Sequence, residues 1–218
     1  MAHVRAGLGS MSQIYKPASS IEKFPRALVS LAVALLALPL AVPAFAQHGG
    51  VDLDPARAAV HFTLKTSIHT VHGAFRLKSG EISFDPQTRK ISGLVVVDAA
   101  SGESGNSGRD AKMHREILES QKYPEITFAP LEIEGDVQPH GASHLQVRGT
   151  FRLHGQDHEI VIPVAVLLDA SELTLDADFS IPYLSWGLKN PSTFILRASD
   201  TVQLNIHATG RRTEGAAN

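Results

Sequence analysis

No cysteine occurs anywhere in the 218 residues, which excludes thiolate zinc sites, disulfide redox chemistry and haem attached through cysteine. A domain of this length buries enough core to fold without disulfides, so their absence is compatible with an exported protein. Aromatic side chains make up only 6% of the chain, with one tryptophan, Trp186, so phenylalanines that share a face stand out. Basic stretches are missing too. Of 20 basic and 22 acidic residues, Arg5, Lys16, Lys23, Arg26 and Glu22 precede Gln47, leaving 16 and 21 and a net charge of −5 after it. With no cationic stripe to neutralise phosphates, a nucleic-acid partner is excluded. Beyond residue 46 there is no G-x-S-x-G and no S-x-x-K, so the familiar serine nucleophile signatures are absent. There is no internal repeat and no linker.

One long uncharged run exists, residues 27–42. Lys16, Lys23 and Arg26 precede it, and Ala44-Phe45-Ala46 follows as an A-x-A cleavage pattern. The run is shorter than the ~20 residues of a bilayer span, and Pro39 and Pro43 interrupt its end. Residues 1–46 therefore read as a signal peptide cleaved before Gln47. The expected location is periplasmic or secreted, with residues 47–218 as one domain.

Within that domain the dominant period is two. Val60, Phe62 and Leu64 alternate with polar neighbours, as do Val71, Gly73, Phe75 and Leu77. Ser79-Gly80 reads as a turn before a third strand at Ile82 and Phe84, and residues 91–98 form a fourth. Residues 101–108 read as a Gly/Ser/Asn loop. After residue 124, alternation returns in 144–153, in 159–168 across a tight His154-Gly155 hairpin, in 173–181 and in 201–209. Residues 211–218 are expected to fray. Only 108–119 has a helical period, placing Met113, Ile117 and Leu118 on one face. Ser107 and Asp110 have capping-box spacing, Lys112/Glu116 and Arg115/Glu119 are i,i+4 pairs, and Pro124 ends the helix.

Eight or more short strands with one inserted helix fit a sandwich or a closed barrel. Strict alternation and aromatics on the inward set favour the barrel. The prediction is an all-β, eight-stranded antiparallel β-barrel, lipocalin-like, with a lid-like helix. Phe62, Leu64, Phe75, Phe128 and Phe151 would line the interior, and Met113, Ile117 and Leu118 would be the lid's buried face. Trp186 is counted among these ligand-binding cavity residues, either covering the mouth or packing at the rim. Periodicity does not decide whether such a barrel is hollow or filled.

Candidate chemistry is sparse. Asp110 and His114 lie one helical turn apart and could serve as base and orienter of a hydrolase or isomerase, although a capping carboxylate beside an imidazole is the plainer account. His69 and His72 point to opposite faces if on one strand, which disfavours a shared metal. Gly102, Gly105 and Gly108 lack the Lys-Ser/Thr of a phosphate loop. Neither a metal nor a cofactor is expected, and no residue is assigned a catalytic role.

Several segments together resemble the YceI-like family. They are Val51-Asp52-Leu53-Asp54-Pro55, Val71-His72-Gly73-Ala74-Phe75, Gly105-Asn106 with Arg109-Asp110, Leu153-His154-Gly155 and, most specifically, Lys122-Tyr123-Pro124-Glu125-Ile126-Thr127-Phe128. The resemblance implies a small secreted lipocalin-like barrel holding a polyisoprenoid or similar long-chain lipid, with no catalytic residues to carry over. Transient membrane contact is a separate expectation. The helix Met113-His114-Arg115-Glu116-Ile117-Leu118 and the loop Trp186-Gly187-Leu188-Lys189-Asn190-Pro191 depart from that pattern. A ligand-free barrel with an envelope stress role is the remaining alternative.

Overall fold

The alternating segments pair in chain order into eight antiparallel strands. They are β1 (Gly49–Lys65), β2 (Thr70–Asp85), β3 (Lys90–Glu103), β4 (Glu125–Glu134), β5 (Gly141–Leu153), β6 (Gln156–Leu168), β7 (Glu172–Ile181) and β8 (Val202–Glu214). Each pairs with its neighbours and β8 returns to β1, closing the barrel. This computed structural model describes residues 49–85, 88–169, 171–193 and 195–214. Residues 1–46, read above as a leader, lie outside them.

Prolines sit where the ladder lets them. Pro55 lies in the stretch of β1 where register with both neighbours shifts, between Asp52 and Val60 against β2 and between Leu53 and Ala58 against β8. Pro130 stands at the register shift of β4 against β5. Pro163 immediately precedes Val164, where the ladder to β7 begins. A residue without an N–H is tolerated at such bulges and ladder ends.

Three boundaries differ from the sequence expectation. Ser79-Gly80 is a bulge and not a turn: β2 runs through it, with Leu77 opposite Val97 and Ser79 opposite Val96. The glycine-rich segment after residue 100 begins as strand, because β3 continues to Glu103. Residues 211–214 do not fray, since Arg211 and Arg212 pair with Asp52 and Val51 of β1. In each case cross-strand pairing overrides the local composition.

The helix also differs in detail. A helical turn α1 (Ser107–Lys112) passes directly into a wider π-helical turn, Met113–Ile117. The cap is Asn106, whose side chain accepts from the Arg109 N–H at 3.0 Å. Asp110 instead accepts from the N–H of Ser104 at 3.0 Å, and from its hydroxyl. The expected i,i+4 pairs are replaced. Arg115 bonds the adjacent Glu116 at 2.6 Å, and Glu119 faces Lys189 at 3.5 Å and His154 at 3.6 Å.

The alternation up and down gives the barrel two unlike ends. The β2–β3, β4–β5 and β6–β7 connections lie at one end. At the other lie residues 66–69, the helical segment 104–124, the hairpin at 154–155 and the long connection 182–201. His154 and Gly155 both take positive φ, 53° and 75°, as a two-residue type I′ hairpin requires.

Candidate functional site

The barrel interior holds two cavities in line that share lining residues. The larger cavity, about 530 Å³, lies under the helical segment, and the smaller, about 240 Å³, towards the opposite end. Val60, Val95, Val97, Phe128, Phe151 and Ile206 border both and form a waist between them. The larger volume alone is in the range of pockets that enclose small-molecule ligands.

Inward alternation places the predicted residues there. Phe62 and Leu64 of β1, Phe75 of β2, Phe128 of β4 and Phe151 of β5 all line the larger cavity. Phe62 and Phe75 touch across the β1–β2 ladder with ring centroids 5.3 Å apart. Met113, Ile117 and Leu118 line it from the helical segment, and Leu118 is buried. The close approach of this segment depends on bare backbone at Gly102. A Cβ there would stand 2.9 Å from the Met113 terminal methyl.

Trp186 is placed differently from the other expected lining residues. It borders neither cavity. β6 and β7 pair only from Val164 and Ala177 to Leu168 and Leu173, and they part towards the helical end. Trp186 packs beside that parting, stacked flat on His158 of β6 with centroids 4.2 Å apart and packed on Phe151 at 5.6 Å. It acts as a side wall behind Phe151 and not as a cover.

Asp110 and His114 are both engaged structurally. The carboxylate of Asp110 is held by Ser104. The imidazole of His114 lies 2.8 Å from the Gly102 carbonyl through Nε2 and 3.3 Å from the Ser120 hydroxyl through Nδ1. These bonds tie the helical segment to the end of β3. His69 borders the cavity mouth, whereas His72 faces Thr63 at 3.1 Å, so the two imidazoles do not share a site.

Other cavity residues carry no periodic signal. Tyr183 and Leu188 are buried in the connection 182–201 and close the larger cavity from that side. The Tyr183 hydroxyl donates to the Ser199 carbonyl at 2.7 Å. Burial pushes its phenol up to about 12, and Asp200 adds repulsion against the phenolate. At the mouth, half-buried Arg109 and Lys112 and exposed His69 and Thr193 border the larger cavity, while Thr127 borders it from β4 and Arg212 borders the smaller one. Arg109 is oriented by Ser104, donating to its hydroxyl and carbonyl, both at 2.7 Å.

A closed up-and-down barrel of eight strands around an apolar hollow, capped by one short helix, defines the lipocalin-like class of barrels. Within that class the chain belongs to the YceI-like family, whose model matches residues 52–210. It is 32% identical over 132 residues to a UPF0312 protein of Vibrio cholerae, covering 59% of this chain and 67% of that protein. Among solved structures it is similar to BcnA of Burkholderia cenocepacia, with a TM-score of 0.61 and 21% identity over 72% of this chain and 98% of that one. It is similar also to a polyisoprenoid binding domain from Saccharophagus degradans implicated in plant cell wall breakdown. There the TM-score is 0.59 and the identity 18%, over 75% of this chain and 98% of that one. At these identities the structural matches establish the shared fold.

Proposed function

We propose that the protein binds a long-chain apolar lipid of the polyisoprenoid kind, without covalent attachment and without catalysis, in the periplasm or outside the cell. The observation that carries this reading is the hollow interior: two apolar cavities in line, sharing a waist of valine, phenylalanine and isoleucine. A chain-like ligand fits such a shape better than a compact one. Family membership and the polyisoprenoid-binding neighbour support the same ligand class. An acid–base site at Asp110 and His114 has less support, since both side chains already hold the helical segment in place.

Each buried methylene contributes about 0.8 kcal/mol, so affinity should rise with prenyl chain length until the hollow is full. It should change little with salt, because no charge pair is needed. Trp186 supplies the readout, as the only tryptophan of the chain and in contact with Phe151 of the waist. Fluorescence titrations across prenyl chain lengths should give progressively tighter binding. Phe75→Arg, folded by circular dichroism, should bind none, because its cation has no partner in the hollow. A flat response to chain length, or full binding by folded Phe75→Arg, would overturn the lipid reading.

The location rests on the residue 27–42 run and the Ala44-Phe45-Ala46 pattern. Intact-mass measurement of protein from the cell envelope should find Gln47 at the N-terminus. Finding residues 1–46 retained in that fraction would refute processing there.

A further inference from the structure

The two most exposed large apolar side chains among the described residues are Ile195 at 78% and Ile68 at 64%. Both lie at the mouth of the larger cavity. Leu94, Leu131, Val161 and Leu167, exposed by 45–55%, are spread over the strands of the barrel wall instead. Isolated apolar residues on a strand's outer face are ordinary. Two isoleucines on loops that frame one opening are not explained that way.

The loops that carry them are joined. Thr66 pairs with Ala198 as an isolated bridge, the Ser67 N–H donates to the Arg197 carbonyl at 2.8 Å, and the Ser199 N–H donates to the Lys65 carbonyl at 2.8 Å. The Arg197 N–H returns a bond to the Ser67 hydroxyl at 3.1 Å. Ile68 follows Ser67 directly, and Ile195 stands two residues before Arg197. One hydrogen-bonded ridge therefore holds both side chains outward. Thr66, His69, Thr193, Leu196 and Ala198 of the same ridge border the cavity, so the apolar tips continue into the apolar hollow.

Charge on this rim is mainly positive. Lys65 and Arg197 belong to the ridge and are exposed, and half-buried Lys112 borders the same cavity from the helical segment. Asp200 and Glu103 are the exposed acids nearby in the chain, while Asp110 is occupied by Ser104. The rest of the domain is net acidic, so cations gathered round an apolar mouth select the orientation in which this end meets an anionic surface.

We propose that the ridge of residues 65–69, 193 and 195–199 docks on an anionic bilayer, with Ile68 and Ile195 entering the headgroup layer and the cavity mouth facing the membrane. The choice of occupant rests on the lipid-binding reading: a ligand of that kind resides in a bilayer, and the docked orientation lets it pass into the hollow without crossing water. Apolar tips flanked by cations are the usual chemistry of reversible attachment to an interface.

The test separates docking from cargo binding. The purified protein is floated with vesicles of phosphatidylethanolamine and phosphatidylglycerol containing no prenyl lipid, and with vesicles of phosphatidylcholine alone. Wild type should float with the anionic vesicles, more weakly as salt is raised, and less with phosphatidylcholine. The double variant Ile68→Ser/Ile195→Ser should lose at least about tenfold in vesicle affinity, equivalent to about 1.4 kcal/mol. Val161→Ser, on the barrel wall, should behave as wild type. Titration with a prenyl alcohol in detergent should give the same affinity for all three proteins, since neither isoleucine borders the cavity. Failure of wild type to float, or equal flotation of the double variant, would overturn the docking proposal. So would a dimer broken by Ile68→Ser/Ile195→Ser with no vesicle binding, which would assign the ridge to a second copy. Flotation without any prenyl binding would leave docking standing and overturn the cargo reading.

Discussion

Tyr183 shows how one side chain reports on the hollow. Its phenol lies against an apolar cavity, donates to the Ser199 carbonyl, and is pushed up to about 12 from an unfolded value near ~10. Because the folded value is the higher one, the neutral phenol stabilises the fold fully below pH ~10, and that contribution fades as pH rises through about 12. Tyr183→Phe should cost about 0.5–1.5 kcal/mol at neutral pH through the lost hydrogen bond. Its deficit should then shrink across the alkaline window, as urea midpoints at several pH values will show. A constant deficit up to pH about 12 would mean that the phenol is solvated. Residues of this kind were not legible from sequence. Phe62, Phe75, Phe128 and Phe151 were, because a strand of period two assigns each side chain to a face. Tyr183 and Leu188 sit in an irregular connection, where spacing carries no directional information. Trp186 was misplaced for the same reason: its position follows from where β6 and β7 part, and no local pattern encodes that.

The helical segment illustrates what an element's own sequence leaves open. Met113, Ile117 and Leu118 face the cavity as their spacing implied, even though the turn that carries them is π-helical. The cap was misread because Asn106, Ser107 and Asp110 are all good capping residues, and only the tertiary position of Ser104 draws Asp110 away. Asn106→Ala should therefore lower stability by about 1 kcal/mol, while Ser107→Ala should change it little, in thermal melts of the two variants side by side. Equal losses would return the cap to Ser107. The same logic explains Ser79-Gly80. Turn-forming residues become a bulge when the valines opposite, Val95 to Val97, keep the ladder going.

For the molecule as a whole, the waist sets the length of what can be held. Phe128 and Phe151 are directly paired across β4 and β5 and border both cavities. Phe128→Ala should join the two hollows and shift the best-bound prenyl chain to greater length, at a stability cost below the ~3–5 kcal/mol of a fully buried phenylalanine, because Phe128 is only half-buried. Chain-length titrations on the variant check this. An unchanged optimum would show that ligands already thread the waist or never reach it. The closed barrel is legible in strand number and inward aromatics, whereas its hollowness is not legible in periodicity and is implied only by the family resemblance. Both follow from one fact, that the apolar faces of eight strands meet across a space wider than their side chains fill.

Closure of the barrel by β8 against β1 has a temporal consequence. The pairs Gly49 with Glu214 and Phe62 with Leu204 join the first and last strands, so the contacts that seal the cylinder span nearly the whole described chain. Contacts so distant in sequence are the slowest to form. Val202, Leu204 and Ile206 of β8 also wall the larger cavity. During synthesis a shortened chain has neither a sealed cylinder nor a compartment until β8 has emerged. Under the proposed lipid-binding function, the sealed compartment that would hold cargo therefore exists only once β8 has paired with β1.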